Sequence, residues 1–239
     1  MNDLVTQIEA LAGHSTADLI GFAPGDAFSE EELGDLGRAF GPVRTVVVLA
    51  QRIVDPVQMV RFQEREWHRD SGIANSYADA MLRDACWRAV EVLRAAGHQA
   101  AIPRNMRYRA VEPRHSISYK KAGVLAGLGT FGRNQLLIHP EWGPWMMLRT
   151  VITEAALPGG SPLAVSPCAE CGACLEACPT GALTEQGIDR EVCRNRVGEK
   201  GVPLDHRLSP LGQINCEECL RACPVGLAPP RLRAVEEAP

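Results

Sequence analysis

The chain has 239 residues, 46% of them hydrophobic and 23% charged, which is ordinary for a globular protein of one or two domains. Its formal net charge of −4 argues against a protein that wraps nucleic acid through an overall positive charge. The N-terminus lacks a signal-peptide pattern, and no segment approaches the ~18 consecutive apolar residues of a membrane span. A cytoplasmic protein without a membrane partner is therefore expected.

The first 50 residues predict a helix and two strands. Apolar side chains recur at helical spacing over 2–12, and apolar runs at 18–23 and 45–50 are typical of strands. The second run is continuous and β-branched, which predicts a buried central strand. Between the runs, Ser29 and Glu32 have the spacing of a capping box that opens a second helix.

A long helix and three more strands are predicted downstream. Ser76 and Asp79 resemble a helix cap, and the helix behind them carries an apolar stripe that ends near Gly97. Cys86 lies on this stripe, so it is expected to be a core thiol rather than a ligand. The further strands are predicted at 99–102, 135–139 and 146–153. This mixture favours an α/β (α+β) fold for the N-terminal part of the chain.

The composition changes at 157–167, where proline, glycine and serine are frequent. We place a boundary there, between an N-terminal domain over 1–158 and a C-terminal domain over 159–239. Eight of the nine cysteines lie between 168 and 223, and such clustering in a reducing compartment favours metal ligands over disulfides. The stretch CLEACPTGAL is weakly similar to CLRACPVGLA, which indicates an internal duplication.

The stretch CAECGACLEACP has the spacing C-x2-C-x2-C-x3-C-P, which is specific for [4Fe–4S] ligation. A zinc ribbon would separate its two cysteine pairs by a longer loop, so zinc is disfavoured. In two-cluster ferredoxins the fourth cysteine of each motif binds the cluster of the other motif. This crossing predicts that the first cluster is bound by Cys168, Cys171, Cys174 and Cys223.

The second motif, NCEECLRACP, has three cysteines where a ferredoxin motif has four. Cys193 is the remaining cysteine of this region, and it would bring the second cluster to the usual four thiolates. The alternative is that Cys193 is a buried thiol beside an incomplete cluster. The predicted ligands of the second cluster are therefore Cys178, Cys193, Cys216 and Cys219.

The loop AGLGTFGRN contains Gly127, Gly129 and Gly132 at the spacing of a dinucleotide-binding fingerprint. That fingerprint requires a strand before the glycines and a helix after them. The sequence predicts a helix before and a strand after, so a dinucleotide site is disfavoured.

The longer stretch SYKKAGVLAGLGTFGRNQLLIHPEWGPWMMLRTVIT, with the cysteine motifs behind it, resembles epoxyqueuosine reductases and corrinoid-dependent reductive dehalogenases. The resemblance implies a nitroreductase-like domain that binds cobalamin, followed by a ferredoxin-like domain with two [4Fe–4S] clusters. It also implies that a low-potential donor, such as ferredoxin or flavodoxin, supplies electrons through the clusters to the corrinoid. The corrinoid would reduce a small-molecule substrate, and the resemblance leaves a homodimer open.

The same resemblance suggests which residues form the site. Contacts to the cofactor are expected from the loop residues Gly127, Gly129, Gly132, Arg133 and Asn134, although a tight turn between helix and strand would explain the glycines equally well. The position of the family's acidic proton donor falls on Pro113 here. The candidates for proton donor are therefore the neighbouring Tyr119, His115 and Glu112, each of which could instead be a packing or solvated residue.

Two departures separate the chain from epoxyqueuosine reductases. The family's Asp-Tyr-His motif is replaced by SYADA around Tyr77, and the sequence ends before the helical-repeat extension that helps those enzymes hold tRNA. A short branch of the superfamily is expected, with tRNA unlikely as a partner. Two alternatives are a non-catalytic electron-transfer or corrinoid-handling protein, and a reductase with flavin in the N-terminal pocket.

Overall fold

A computed structural model describes residues 2–12, 17–33, 41–53, 64–103, 117–168, 170–193 and 218–226, with only the helical backbone described over 64–76. The helices are α1 (Asn2–Glu9), α2 (Glu64–Ala95), α3 (Tyr119–Leu125), α4 (Ala173–Glu176) and α5 (Glu218–Arg221). The strands are β1 (Leu19–Pro24), β2 (Thr45–Arg52), β3 (Ala100–Ala101), β4 (Thr130–Phe131), β5 (Leu137–Ile138), β6 (Met146–Thr153), β7 (Leu183–Thr184) and β8 (Gly187–Ile188).

The main sheet has four strands in the order β1-β2-β6-β3. β1 runs antiparallel to β2, with Leu19 opposite Ala50, and β3 runs antiparallel to β6, with Ala100 opposite Thr153. All residues of β2 except its last are buried, so the predicted central strand is confirmed. The β-branched run at 45–50 suits this position because both faces of the strand are covered.

One face of α2 forms the core against this sheet. Leu82, Cys86 and Leu93 are fully buried in one cluster with Val47 of β2 and Val151 of β6. Burying one large aliphatic side chain contributes roughly 1.5–3 kcal/mol, so this stripe fixes the helix to the sheet. The prediction that Cys86 is a core thiol is confirmed, and burial raises its pKa to about 12.

The predicted cap at Ser76 and Asp79 is wrong, because α2 begins at Glu64 and runs through both positions. Asp79 Oδ1 instead accepts hydrogen bonds from Arg149 Nε at 2.9 Å and Nη2 at 2.7 Å. Its Oδ2 accepts from Arg83 Nε at 2.9 Å. The side chains of Arg149 and Asp79 are 11% and 16% exposed, so this ion pair joins α2 to β6 from a largely buried position. The sequence has the spacing of a helix cap, but the Asp79 carboxylate pairs instead with Arg149, 70 residues away.

The capping box at Ser29 is confirmed at the helical turn 30–33. Glu32 N donates to Ser29 Oγ at 3.2 Å, and Ser29 N donates to Glu32 Oε2 at 2.9 Å. Lys121 of α3 donates to both oxygens of the same carboxylate, at 3.0 and 2.9 Å, and its Nζ lies 4.9 Å from the centre of the Phe28 ring. Glu32 therefore closes its own turn and also holds α3.

Glu32→Gln is expected to lower the free energy of unfolding by about 1 kcal/mol at neutral pH. Burial raises the pKa of Glu32, but the hydrogen bonds and charge of Lys121 and the Ser29 N–H outweigh it and hold the pKa below 4.5. A lowered folded-state pKa contributes stability above the ordinary value and loses it as the pH falls. The free energies of unfolding in urea of the two proteins should therefore converge as the pH falls below 4.5. Glu9→Gln, at an exposed residue of α1, should cost less stability at neutral pH.

The chain divides into two compact units, each built from alternating stretches of sequence. The first unit comprises Met1–Arg52, Ala78–Thr130 and Met147–Ala164, and contains the main sheet. The second comprises Ile53–Tyr77, Phe131–Met146 and Val165–Pro239, and contains the described cysteine motifs. The mixed α/β class is confirmed, while the boundary at 158/159 stays a prediction. Within the described ranges, no helix has the length and apolar character needed to cross a membrane.

Candidate functional site

The two cysteine motifs form equivalent helical turns in the second unit. Cys178 N donates to Leu175 O at 3.2 Å after α4, and Cys223 N donates to Leu220 O at 3.1 Å after α5. The turns α4 and α5 also contact each other. The weak repeat seen in the sequence therefore corresponds to a repeated local structure, in which the last cysteine follows a single helical turn.

Cys223 of the second motif is near enough to three cysteines of the first motif for their charges to act on its thiol. Burial raises the pKa of its thiol, a hydrogen bond from Val225 N lowers it, and the charges of Cys168, Cys171 and Cys174 raise it further. Such charge repulsion requires these thiols to be close in space. The arrangement brings together the four residues that the sequence assigns to one cluster.

Two other cysteines of the first motif have environments that differ from each other. Burial raises the pKa of Cys174, repulsion by Cys168 adds to it, and the positive charge of Arg133 opposes it. Burial also raises the pKa of Cys178, but backbone N–H donors from Leu183 and other residues, with the Thr180 hydroxyl, bring it below 9.0. Donors that converge on sulfur stabilise a thiolate, which is the form that binds metal.

All eight cysteines that the structure describes, including Cys86 of the core, are free thiols. Cys193 is half-buried and follows a turn in which Asp189 Oδ1 accepts from Glu191 N at 2.9 Å and Val192 N at 3.0 Å. Cys216 lies outside the described residues. Among those that are described, no three His, Cys, Asp or Glu side chains are grouped so as to bind a single metal ion. The ligand set of the second cluster therefore stays a prediction.

The turn 132–136 contacts both cysteine motifs. Arg133 Nε donates to the carbonyl oxygen of Cys168 at 3.2 Å, and Asn134 Nδ2 donates to that of Cys219 at 3.4 Å. Asn134 is 6% exposed, and its Oδ1 accepts from Leu136 N at 3.1 Å, which closes the turn. The sequence singled out both residues as cofactor contacts. The structure places them against the backbone of two predicted cluster ligands.

A second loop packs against the residue that follows Cys223-Pro224. A Cβ at Gly143 would collide with the carbonyl oxygen of Val225, and one at Gly226 would collide with that of Trp142. His139 stacks on Trp142 with ring centroids 4.6 Å apart, and its Nδ1 accepts from the N–H groups of Glu141 and Trp142 at 3.2 Å. The sequence patterns did not single out Gly143 or Gly226 as site residues. The glycines in EWGP and PVG were the available signal, but only the fold shows that their backbones meet.

Gly127 terminates α3 and belongs to the first unit. It adopts φ 76°, its N–H donates to Val124 O at 3.0 Å, and Leu128 N donates to Gly123 O at 2.9 Å. These two bonds form a Schellman motif, which favours glycine at this position. A Cβ at Gly127 would also lie 2.7 Å from Ser161 O. A helix before the glycines and a strand after them confirm that the loop lacks the dinucleotide-binding context.

The remaining glycines of the loop are also enclosed by protein. Gly129 is buried, and a Cβ at Gly132 would lie 2.6 Å from Ile138 Cγ1 and 2.7 Å from Asn134 Oδ1. The space beside Gly127 and Gly132 is thus filled by the chain itself. That packing accounts for both residues, and their predicted contact with a cofactor stays a prediction.

Of the three candidates for proton donor, the structure describes only Tyr119. It is the first residue of α3, its side chain is half-buried, and its hydroxyl oxygen is screened from solvent. Glu112 and His115 lie outside the described residues. The assignment of a proton donor is therefore carried forward as a prediction.

Curated relatives of the chain are epoxyqueuosine reductases. The one from Synechococcus sp. (strain RCC307) is 35% identical over 125 residues, which cover 49% of this chain and 37% of the relative. The one from Listeria monocytogenes serovar 1/2a is 33% identical over 103 residues, covering 41% of this chain and 27% of the relative. These matches span about a third of the relatives' length. No protein-family model matches the chain.

Solved structures show the same fold at low sequence identity. Epoxyqueuosine reductase from Streptococcus thermophilus has a TM-score of 0.64 at 18% identity, covering 96% of this chain and 67% of that one. A catabolic reductive dehalogenase in complex with 3-bromo-4-hydroxybenzoic acid has a TM-score of 0.62 at 18% identity, covering 91% of this chain and 31% of that one.

The chain is similar in sequence to epoxyqueuosine reductases over about half of its length. It shares its α/β fold with solved epoxyqueuosine reductases and with a reductive dehalogenase. The family resemblance seen in the sequence is therefore confirmed.

The expectation that tRNA is unlikely as a partner was wrong. A structural neighbour with a TM-score of 0.61 at 18% identity, covering 94% of this chain and 64% of that one, is an epoxyqueuosine reductase with an epoxyqueuosine-modified tRNA stem loop. The expectation rested on where the given sequence ends, and that position is no argument against tRNA.

Proposed function

We propose that the protein is an iron–sulfur, cobalamin-dependent reductase in which two [4Fe–4S] clusters carry electrons to the corrinoid. The observation that carries the proposal is the contact between α4 and α5, the helical turns of the two cysteine motifs. Cys223 is also near enough to Cys168, Cys171 and Cys174 for their charges to act on its thiol. In two-cluster ferredoxins each cluster takes its fourth cysteine from the other motif, which keeps the clusters close enough to exchange electrons. The similarity to epoxyqueuosine reductases supports the same function.

The residues present suit iron–sulfur clusters. Buried thiols that repel one another are unfavourable as free thiolates, and ferric and ferrous ions would offset that repulsion. The N–H groups directed at Cys178 and the guanidinium near Cys174 would stabilise the ligated form. A cubane places each thiolate on a different iron, so its ligands need not converge as they do on a single ion.

Cobalamin enters the proposal through the relatives, one of which is a reductive dehalogenase discussed as B12-dependent. When bound, a corrinoid supplies the low-potential cobalt that reduces the substrate. In this chain, the space beside Gly127 and Gly132 is filled by protein atoms, so those two positions provide no cradle for it. No residue is assigned to the corrinoid on this evidence. Tyr119, His115 and Glu112 are proposed as sources of the proton that reduction consumes.

For the substrate, we propose an epoxide carried on a modified tRNA nucleoside as the first class to test. The curated relatives are named for this reaction, and the structural neighbours include a complex with the modified stem loop. An aryl halide is the second class, because another neighbour holds a brominated hydroxybenzoate.

Anaerobic reconstitution tests the proposal directly. The clusters are assembled, hydroxocobalamin is added, and the desalted protein is assayed for iron, cobalt and visible absorption. We expect about eight iron atoms and one cobalt per chain, followed by reduction of the modified stem loop. Absence of retained cobalt refutes the cobalamin-dependent function. Retention of flavin instead supports the flavin hypothesis, and clusters without any bound organic cofactor support an electron-transfer protein.

Cys193→Ala is expected to lower bound iron from about eight to about four atoms per chain, because the second cluster loses its fourth thiolate. Iron assay and absorption near the cluster band measure the loss. Cys86→Ala is the matched control, since that thiol is fully buried in the core of the first unit. Unchanged iron in Cys193→Ala contradicts the ligand assignment and returns Cys193 to the alternative of a structural thiol.

A further inference from the structure

We propose that Arg133 sets the reduction potential of the cluster on the first cysteine motif, while it and Asn134 position the two motifs. The inference rests on the proposed function, since it requires clusters at these cysteines. It assigns Arg133 and Asn134 a role toward the clusters in place of the cofactor contact that the sequence suggested.

The geometry of the turn carries the positioning role. Two consecutive side chains reach two motifs that lie about 50 residues apart: Arg133 bonds the carbonyl of Cys168, and Asn134 bonds that of Cys219. The turn is held rigid by Gly132 N donating to Leu136 O at 2.8 Å and by Gln135 N donating to Gly132 O at 2.9 Å. Because Asn134 is buried and also accepts from Leu136 N, its amide orientation is fixed by two partners.

The charge of Arg133 carries the electrostatic role. Its guanidinium Nε lies 3.2 Å from the carbonyl oxygen of Cys168, a predicted ligand of the first cluster. Its side chain is only 31% exposed, so solvent screens the charge incompletely. One-electron reduction makes a cluster more negative, and a nearby fixed positive charge favours the reduced form. Removing the guanidinium should therefore make the cluster harder to reduce.

Glu185 provides a test of the direction in which the reduction potential of the cluster should shift. Its Oε1 lies 3.4 Å from Arg133 Nη1, and its side chain is 74% exposed. Neutralising this carboxylate removes a negative charge from the same region, so the potential should move in the opposite direction. The shift should be smaller, because an exposed charge is better screened. A purely structural loss of the ion pair would not predict a rise.

The experiment compares reconstituted holoproteins by EPR-monitored redox titration with dithionite. At a fixed ambient potential, Arg133→Gln should lower the reduced-to-oxidised ratio of one cluster about tenfold, which is a shift of ~59 mV to more negative potential. Arg133→Lys should retain most of the wild-type value because the charge is kept. Glu185→Gln should raise the ratio by a smaller factor. Arg88→Gln, which removes an arginine from an exposed pair with Asp84 in the first unit, should leave both clusters unchanged.

The results of these titrations distinguish failure of the role proposed for Arg133 from failure of the proposed function. Wild-type protein that holds no cluster overturns both. Wild-type protein with two clusters, and unchanged potentials in both Arg133→Gln and Glu185→Gln, overturns the inference alone. If Arg133→Gln loses the first cluster, the sign of the Glu185→Gln shift still decides the electrostatic role. Asn134→Asp keeps the acceptor for Leu136 N and loses the donor to Cys219 O, so faster loss of iron to a chelator is expected, and an unchanged rate overturns its positioning role.

Discussion

Replacing Cys223 by serine is expected to remove one of the two clusters and to lower bound iron from about eight to about four atoms per chain. The charges of Cys168, Cys171 and Cys174 act on this thiol. In the sequence, Cys223 lies 45 positions after Cys178, the last cysteine of the first motif. If it is the fourth ligand of the first cluster, its loss leaves the second cluster intact. Iron assay and EPR of the reduced protein measure the result.

Double variants distinguish crossed from uncrossed ligation. Under crossing, Cys223→Ser with Cys174→Ser damages the same cluster twice and should lose no more iron than either single variant. Cys223→Ser with Cys219→Ser damages both clusters and should leave almost none. Loss of all iron in the first pair, or retention of half in the second, would show that the ligands are not crossed. Such non-additivity is the usual sign that two residues act as one unit.

Gly143→Ala is expected to lower the free energy of unfolding by about 3–5 kcal/mol. This figure adds the cost of a left-handed backbone at a non-glycine residue to the cost of overpacking. Gly143 adopts φ 59°, is buried, and leaves no room for a Cβ against the Val225 carbonyl. Since Val225 N donates to the thiol of Cys223, displacement of this backbone should also weaken retention of iron. Chemical unfolding and chelator-induced loss of iron measure the two effects.

Gly181→Ala is the matched control for that substitution. Gly181 adopts a similar φ of 65°, but a Cβ there would meet nothing within 4 Å. Only the backbone penalty of roughly 1–2 kcal/mol should remain, with iron retained. Equal losses of stability in the two variants would mean that the approach of Gly143 to Val225 contributes nothing.

The two units differ in what their predicted site residues contact. In the second unit, the side chains of Arg133 and Asn134 bond the backbone of both cysteine motifs. The backbone at Gly143 packs against Val225, which follows the second motif. In the first unit, the loop at 126–129 serves as the C-terminal cap of α3. The cysteine-rich part of the second unit is therefore the best-defined candidate site among the described residues.

Local and periodic features were determined by the sequence alone. The continuous apolar run at 45–50 gave a central strand, the stripe containing Cys86 gave a core helix, and Ser29 with Glu32 gave a capping box. The cysteine spacings predict which thiols should share a cluster, and that assignment stays a prediction. The confirmed features succeed because the interactions behind them connect residues a few positions apart.

Contacts between distant residues were decided only by the tertiary structure. The carboxylate of Asp79 pairs with Arg149 instead of capping a helix, because a buried guanidinium offers two hydrogen bonds and an opposite charge. Arg133 and Asn134 face the cysteine motifs, and Gly143 is required by the approach of Val225. A sequence displays the donors, acceptors and glycines of such contacts. Which of them meet depends on how the backbone brings together segments that lie tens of residues apart.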